Sequence, residues 1–410
     1  MKSGNVLWTA ILAIVLMISV LPACSGNSDE TPSAGATESP PEGTETPTAE
    51  PITTDSGLKF IELREGTGLK PQFGDRISFY YVGMLEDGTV FDQVTGGTPL
   101  TLLFGLEGIM PGVEEGIGMM KAGGKAELII PPELGYGGTK MGEVPANSTL
   151  TIELDLVDVD RPDPPRQIAE DEYVTTESGL KYHDFVVGTG AVPQTDDTLV
   201  MHNSVWRADG TSLGSSHDQG MPQIIQYYPG RLLPGWEEGL STMQAGGKRQ
   251  LVIPPELAYG DEGYRDIIPP DMGMIMEIDL LAVVPLPEFS PLTEIDDTDY
   301  ETTGSGLKYY DLEEGEGNAP EAGQTVVVHY SGWLTDGTLF DSSINRGTPY
   351  VFTLNQRQTV PGFEEGVSTM KVGGKRQIVI PPELGYGEQG SGKIPANSTL
   401  VFEVELSYVF

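Results

Sequence analysis

At 410 residues the chain is too long for one compact domain and suits two to four. Its 53 Gly and 32 Pro, beside a hydrophobic share of 38%, point to short strands and tight turns rather than long helices. A formal charge of −38, from 61 acidic and 23 basic side chains, repels phosphate backbones and argues against a nucleic-acid partner; solubility is the plainest use of the acidity.

The chain opens on Lys2 and an apolar run from Val6 to Leu21, interrupted only by Thr9 and Ser19. Sixteen residues fall short of the roughly 20 that cross a bilayer as a helix, so residues 1–23 read as a secretory signal. Cys24 is the only cysteine, which excludes an intramolecular disulfide. Leu21-Pro22-Ala23-Cys24 resembles the bacterial lipobox, and that resemblance implies a lipid on Cys24 and an extracytoplasmic chain anchored to the membrane. Cleavage without lipidation and an uncleaved anchor are the alternatives. Residues 24–51, rich in Ser, Thr, Pro, Glu, Gly and Ala, have little to bury and read as a disordered tether.

Beyond the tether the chain repeats itself. Ser56-Gly-Leu-Lys59 recurs at 178–181 and 305–308, Pro111-Gly-Val-Glu-Glu-Gly116 at 234–239 and 361–366, and Pro131-Pro-Glu-Leu-Gly-Tyr-Gly137 at 254–260 and 381–387. Offsets of 123 and 127 residues exceed any solenoid repeat and are those of whole domains. Pro-rich connectors place three domains at 52–160, 174–286 and 301–410, with stiff linkers at 161–173 and 287–300. Within the third, Thr325–Tyr330, Arg376–Ile380 and Leu400–Leu406 read as strands, and Asp336-Gly337 as a hairpin turn. Pro361 opens a short helix with Glu364-Glu365 in its first turn, and Gly373-Gly374 closes it. Phe363, Val367 and Met370 share its apolar face. The class is α+β: in each domain a bent antiparallel sheet wraps one short helix, three times in tandem.

The runs Val327–Ser343, Val360–Gly366 and Ala396–Leu406 resemble an FKBP-type domain throughout 301–410, and the likeness extends to 52–160 and, in its scaffold motifs, to 174–286. The resemblance implies a peptidyl-prolyl cis–trans isomerase that needs no cofactor and no metal. In the third domain it implies Phe363 as an aromatic floor under the proline ring, where the family usually has Trp. Tyr330, Phe340, Tyr350 and Phe402 become walls, with Val360 beside them. Asp341 becomes a buried carboxylate facing the substrate amide and partnered by Arg346. Tyr386 becomes a hydrogen-bond donor to the substrate carbonyl, and Ile394 a cap.

The first domain keeps Tyr81, Phe91, Asp92, Met110, Tyr136 and Val144 at the matching positions. Val113, Leu100 and Ile152 replace aromatic residues there, and the loop 92–97 is one residue shorter and lacks Arg, so a wider pocket with an aliphatic base is expected. The second domain has Asn203 for the wall Tyr, Leu213-Gly214 for Phe-Asp, and Gln223 and Met276 at two further aromatic positions. Trp236, Leu233, Tyr259 and Ile268 remain, which reads as a spacer or a peptide-binding module. The expected function is isomerisation of X–Pro bonds in exported, unfolded or partly folded polypeptides, mainly by domain 3. A multivalent holdase and a surface scaffold are the alternatives.

Overall fold

The computed structural model describes residues 50–410 apart from Glu107 and Gln219, so the signal-like segment, Cys24 and nearly all of the tether lie outside the described residues. Each repeat forms its own seven-stranded antiparallel sheet, and the three sheets share one strand order. In the third repeat that order is Glu301–Thr302, Lys308–Glu313, Lys375–Ile380, Leu400–Val409, Thr325–Leu334 and Leu339–Ser342, with Tyr350–Thr353 also paired to Thr325–Leu334. The β-branched run Thr325-Val-Val-Val is stiff at χ1 and suits this central strand, which pairs with Leu400–Val409 along most of its length.

One short helix lies against each sheet. In the third repeat it spans Pro361–Ser368, with Pro361 at its first position, and it buries Phe363 and Val367 while Met370 is buried just beyond its end. Its two glycines explain the spacing of the repeated motif. A Cβ on Gly362 would stand 2.5 Å from Ile380 Cγ2, and one on Gly366 2.4 Å from Ile378 Cδ1. The matching Gly112 and Gly116 of the first repeat meet Ile130 and Leu128 at 2.6 and 2.3 Å. Two glycines four apart thus share one helix face and let its backbone rest on the sheet.

The expectation of one helix per domain needs a correction in the third repeat, where Ser343–Arg346 forms an additional four-residue turn. Its cause is local. The Ser342 side chain accepts a hydrogen bond from the Asn345 N–H, and Gly347 ends the turn in the left-handed region at φ 71°. The shorter loop of the first repeat instead runs on as the strand Val90–Val94.

An arginine at matching strand positions ties helix to sheet in repeats two and three. Arg376, whose side chain is 6% exposed, pairs with both oxygens of Asp311 and donates from Nη1 to the Gly366 carbonyl (2.9 Å) and Thr369 Oγ1 (2.6 Å) at the helix end. Arg249 repeats this with Asp184, Gly239 and Thr242. Ala126 stands there in the first repeat, whose helix runs to Met119. The linkers are also held: the Arg166 N–H donates to Glu277 and the Thr293 N–H to the buried Glu403.

Arg376→Ala removes several hydrogen bonds from a charged group, each net worth about 1.5–3 kcal/mol at most in such settings. Chemical denaturation of the full chain should therefore show the transition of the third repeat moved to lower denaturant, with the first repeat unaffected. An unmoved transition would mean that the helix end is held by packing alone.

Candidate active site

The site of the third repeat starts from a bulge. Gly332 pairs with Asp341 and Trp333 with Leu339, which leaves Phe340 as the extra residue. In a regular strand neighbouring side chains face opposite sides; the bulge re-aims them, so Phe340 and Asp341 turn toward the same rings. Phe340 packs edge-on against Phe402 at 5.5 Å, and Asp341 accepts a hydrogen bond from the Tyr330 hydroxyl. Gly332 makes the room, since a Cβ there would lie 2.7 Å from both the Phe340 and the Phe402 ring.

Phe363 stands at the start of the helix, 2% exposed, and four rings surround it: Phe402 at 5.0 Å, Tyr330 at 5.5 Å, Phe352 at 5.8 Å and Tyr350 at 6.4 Å. Three of the four contacts are edge-to-face, the arrangement that ring quadrupoles favour. Val360 precedes the helix and Ile394 is buried in the last loop, both packed with this cluster. Phe352 was not among the expected residues; an alternating strand run Tyr350-Val-Phe352 is the signal that locates it.

The polar edge is a triad. Arg346 pairs with Asp341, its Nη2 donates to the Tyr330 hydroxyl at 3.2 Å, and its guanidinium lies 5.6 Å from the Tyr330 ring centre. The expectation that Asp341 is buried is corrected here: its side chain is 40% exposed, and Asp92 of the first repeat, which has no such helical turn beside it, is exposed as well, so the carboxylate lies at the rim in both. Buried Ser343, equally unforeseen, accepts from the Tyr330 N–H at 2.8 Å and so fastens that turn beneath the triad. Tyr386 is 40% exposed, and among the described residues none hydrogen-bonds its hydroxyl. Burial, and then the bond to Asp341, push the Tyr330 phenol up to about 12.

In the first repeat Tyr81, Phe91, Asp92, Met110, Val113 and Tyr136 line one cavity of about 140 Å³ together with Leu100 and Ile152, while Val144 is buried in the adjoining core. The same bulge recurs at Phe91, and the Tyr81 hydroxyl donates to Asp92 at 2.7 Å with no arginine at the matching position. The expected aliphatic base is corrected: Phe79, where the third repeat has Val328, lines the cavity and supplies a ring to its floor.

The second repeat keeps the bulge but exchanges bulk across the strand pair. Val205 stands opposite Gly214, where the other repeats place Gly opposite Asp, and Leu213 is the bulged residue. Asn203, Leu213, Leu233, Trp236, Ile268 and Met276 are all buried, whereas Gln223 and Tyr259 are part-exposed. Gly214 adopts φ 126°, which an aspartate avoids, so restoring Asp there alone would strain the backbone.

Tyr330 yields a pH prediction. A phenol whose folded pKa is raised is favoured in its neutral form, so that stability is complete below about pH 10 and fades as pH climbs toward 12. Ultraviolet titration of the full chain should lose one late-ionising tyrosine on Tyr330→Phe, and the alkaline limb of unfolding should become shallower. An unchanged titration would remove the Tyr330–Asp341 bond from the account.

A family model described as FKBP-type peptidyl-prolyl cis-trans isomerase matches residues 68–157, 190–281 and 316–407. Peptidyl-prolyl cis-trans isomerase FKBP10 of Mus musculus is 32% identical over 338 residues, 82% of this chain and 54% of the relative. FKBP9 of Homo sapiens is 30% identical over 337 residues, 81% and 54%. The bacterial isomerase FkpA of Aeromonas hydrophila is 53% identical over 105 residues, 26% of this chain and 38% of the relative. The chain spans about half the length of the first two. Three matches to one family model, each on a sheet with the same strand order, place this chain in the FKBP-type peptidyl-prolyl cis-trans isomerase family.

Proposed function

We propose that the chain isomerises X–Pro bonds in exported, unfolded or partly folded polypeptides, with domain 3 as its main catalyst and domain 1 as a weaker one. The observation that carries this reading is the ring cluster around Phe363 bordered by the Tyr330–Asp341–Arg346 triad. The barrier to rotation, about 18–20 kcal/mol, is the amide resonance lost on twisting. Water stabilises the planar, more dipolar ground state, so a dry aromatic cup favours the twisted form. A twisted amide loses nitrogen donation and leaves its carbonyl carbon more positive; the fixed Asp341 carboxylate opposes that charge. The exposed Tyr386 hydroxyl is available to the substrate carbonyl. The second repeat has neither the Tyr nor the Asp and serves as a spacer or peptide-binding module. The N-terminal segment supports an extracytoplasmic location with a lipid on Cys24.

Turnover of an X–Pro peptide by the full chain tests the assignment. Phe363→Ala should weaken binding and catalysis together; truncating a buried Phe typically costs about 3–5 kcal/mol, so circular dichroism must first show an intact fold. Asp341→Asn keeps the shape and should lower mainly kcat. Tyr386→Phe removes one hydrogen bond of roughly 0.5–1.5 kcal/mol, lowering turnover about tenfold or less. A folded Phe363→Ala chain with unchanged turnover moves the catalytic site elsewhere.

Cys24→Ala should release the protein from the membrane fraction. Unchanged retention with an intact N-terminus by mass spectrometry would favour an uncleaved anchor.

A further inference from the structure

The first repeat differs from the third in a way that points to a different occupant. In the third, the Phe363 ring lies 5.5, 5.8 and 5.0 Å from Tyr330, Phe352 and Phe402. In the first, the positions of Phe363, Phe352 and Phe402 hold Val113, Leu102 and Ile152. Among the described residues lining the cavity, Phe79 is the ring added in return, and a cavity of about 140 Å³ remains. An apolar cavity of about 150 Å³ holds one benzene ring.

The walls suit such a guest. Phe79 and Tyr81 lie 6.0 Å apart, and Phe91 and Tyr136 meet edge-on at 6.3 Å; all four line the cavity. Rings so placed offer faces and edges for offset or T-shaped contacts. At the rim, Leu100 is 38% exposed where the third repeat has Tyr350, and Asp92, bonded to Tyr81, is the carboxylate in the lining.

We infer that the first repeat is a binding site for an aromatic side chain, that of Phe in an unfolded polypeptide, whose ring takes the place filled by Phe363 in the third repeat. This rests on the reading of the chain as one that acts on unfolded polypeptides, and it names Phe as the side chain the domain 1 cavity prefers over the proline that it isomerises only weakly. Held on the same chain as an isomerising domain, such a site raises the effective concentration of client prolines.

The test uses the full chain labelled with ¹³C-methyl methionine, because Met110 lines the cavity and an entering ring shifts its resonance through the ring current. Two short peptides of equal charge are titrated, one with Phe and no Pro, the other with Pro and no Phe. The Phe peptide is expected to move the Met110 signal and to bind there about tenfold more tightly than the Pro peptide. Val113→Phe puts one of the protein's own rings into the cavity and should weaken the Phe peptide about tenfold. Leu100→Tyr, at an exposed position that needs no repacking, should weaken it about threefold and decides the matter if Val113→Phe does not fold. A Met110 signal that ignores the Phe peptide, follows the Pro peptide as strongly, or still follows the Phe peptide unchanged in the folded variants overturns the inference. X–Pro turnover measured on the same samples reads the other claim separately: its absence, with the Met110 response intact, sinks the isomerase reading and leaves the aromatic site standing.

Discussion

A helix cannot lie with its backbone on a sheet unless the residues between them have no side chains, and in this protein that contact decides where everything else goes. Gly362 and Gly366 leave room for Ile380 and Ile378, which a Cβ would meet at 2.5 and 2.4 Å, so the backbone of the helix Pro361–Ser368 can rest directly on these side chains. Phe363, between the two glycines, is thereby held among the rings of the sheet. Alanine at Gly366 would force Ile378 or the helix that carries Phe363 to shift. The same arithmetic holds at Gly112 and Gly116, so the first and third repeats share this seat and differ in the residue placed on it, Val113 or Phe363.

The second constraint is the bulge. It puts a bulky residue and its successor on one side of the strand, which is how Phe340 and Asp341 come to serve one site. Where the bulge persists but its partners change, the chemistry changes with them. In the second repeat Val205 faces Gly214, and Gly214 takes a positive φ of 126°, so this strand differs from the other two in backbone as well as in side chain. In the third, one added loop residue allows a capped helical turn, which delivers Arg346 to the carboxylate. One frame thus carries three electrostatic settings: a carboxylate with tyrosine and arginine, a carboxylate with tyrosine alone, and neither.

Much of this was legible in the sequence because it is written in residues with narrow uses. Repeated Pro-Gly-x-Glu-Glu-Gly, Asp-Gly turns and β-branched runs specify the helix, the hairpin and the strands, and the aromatic positions follow their register. The rest depends on tertiary contact. Nothing local in Lys375-Arg376-Gln377 says that Arg376 turns inward to close a helix end, and nothing in Phe79 says that it replaces a ring lost thirty-four residues later at Val113. The helical turn Ser343-Ile-Asn-Arg346, which brings Arg346 to Asp341, is likewise too short to announce itself by periodicity.

The central claim is that a proline ring is held over Phe363 among the rings of the third repeat. Intermolecular nuclear Overhauser contacts between an X–Pro peptide and the full chain test it most directly. The account predicts contacts from the proline ring protons to the aromatic protons of Phe363, Phe402 and Tyr330, and from the residue before proline to Tyr386. Contacts confined to the second repeat, or to the outer face of any sheet, would contradict it.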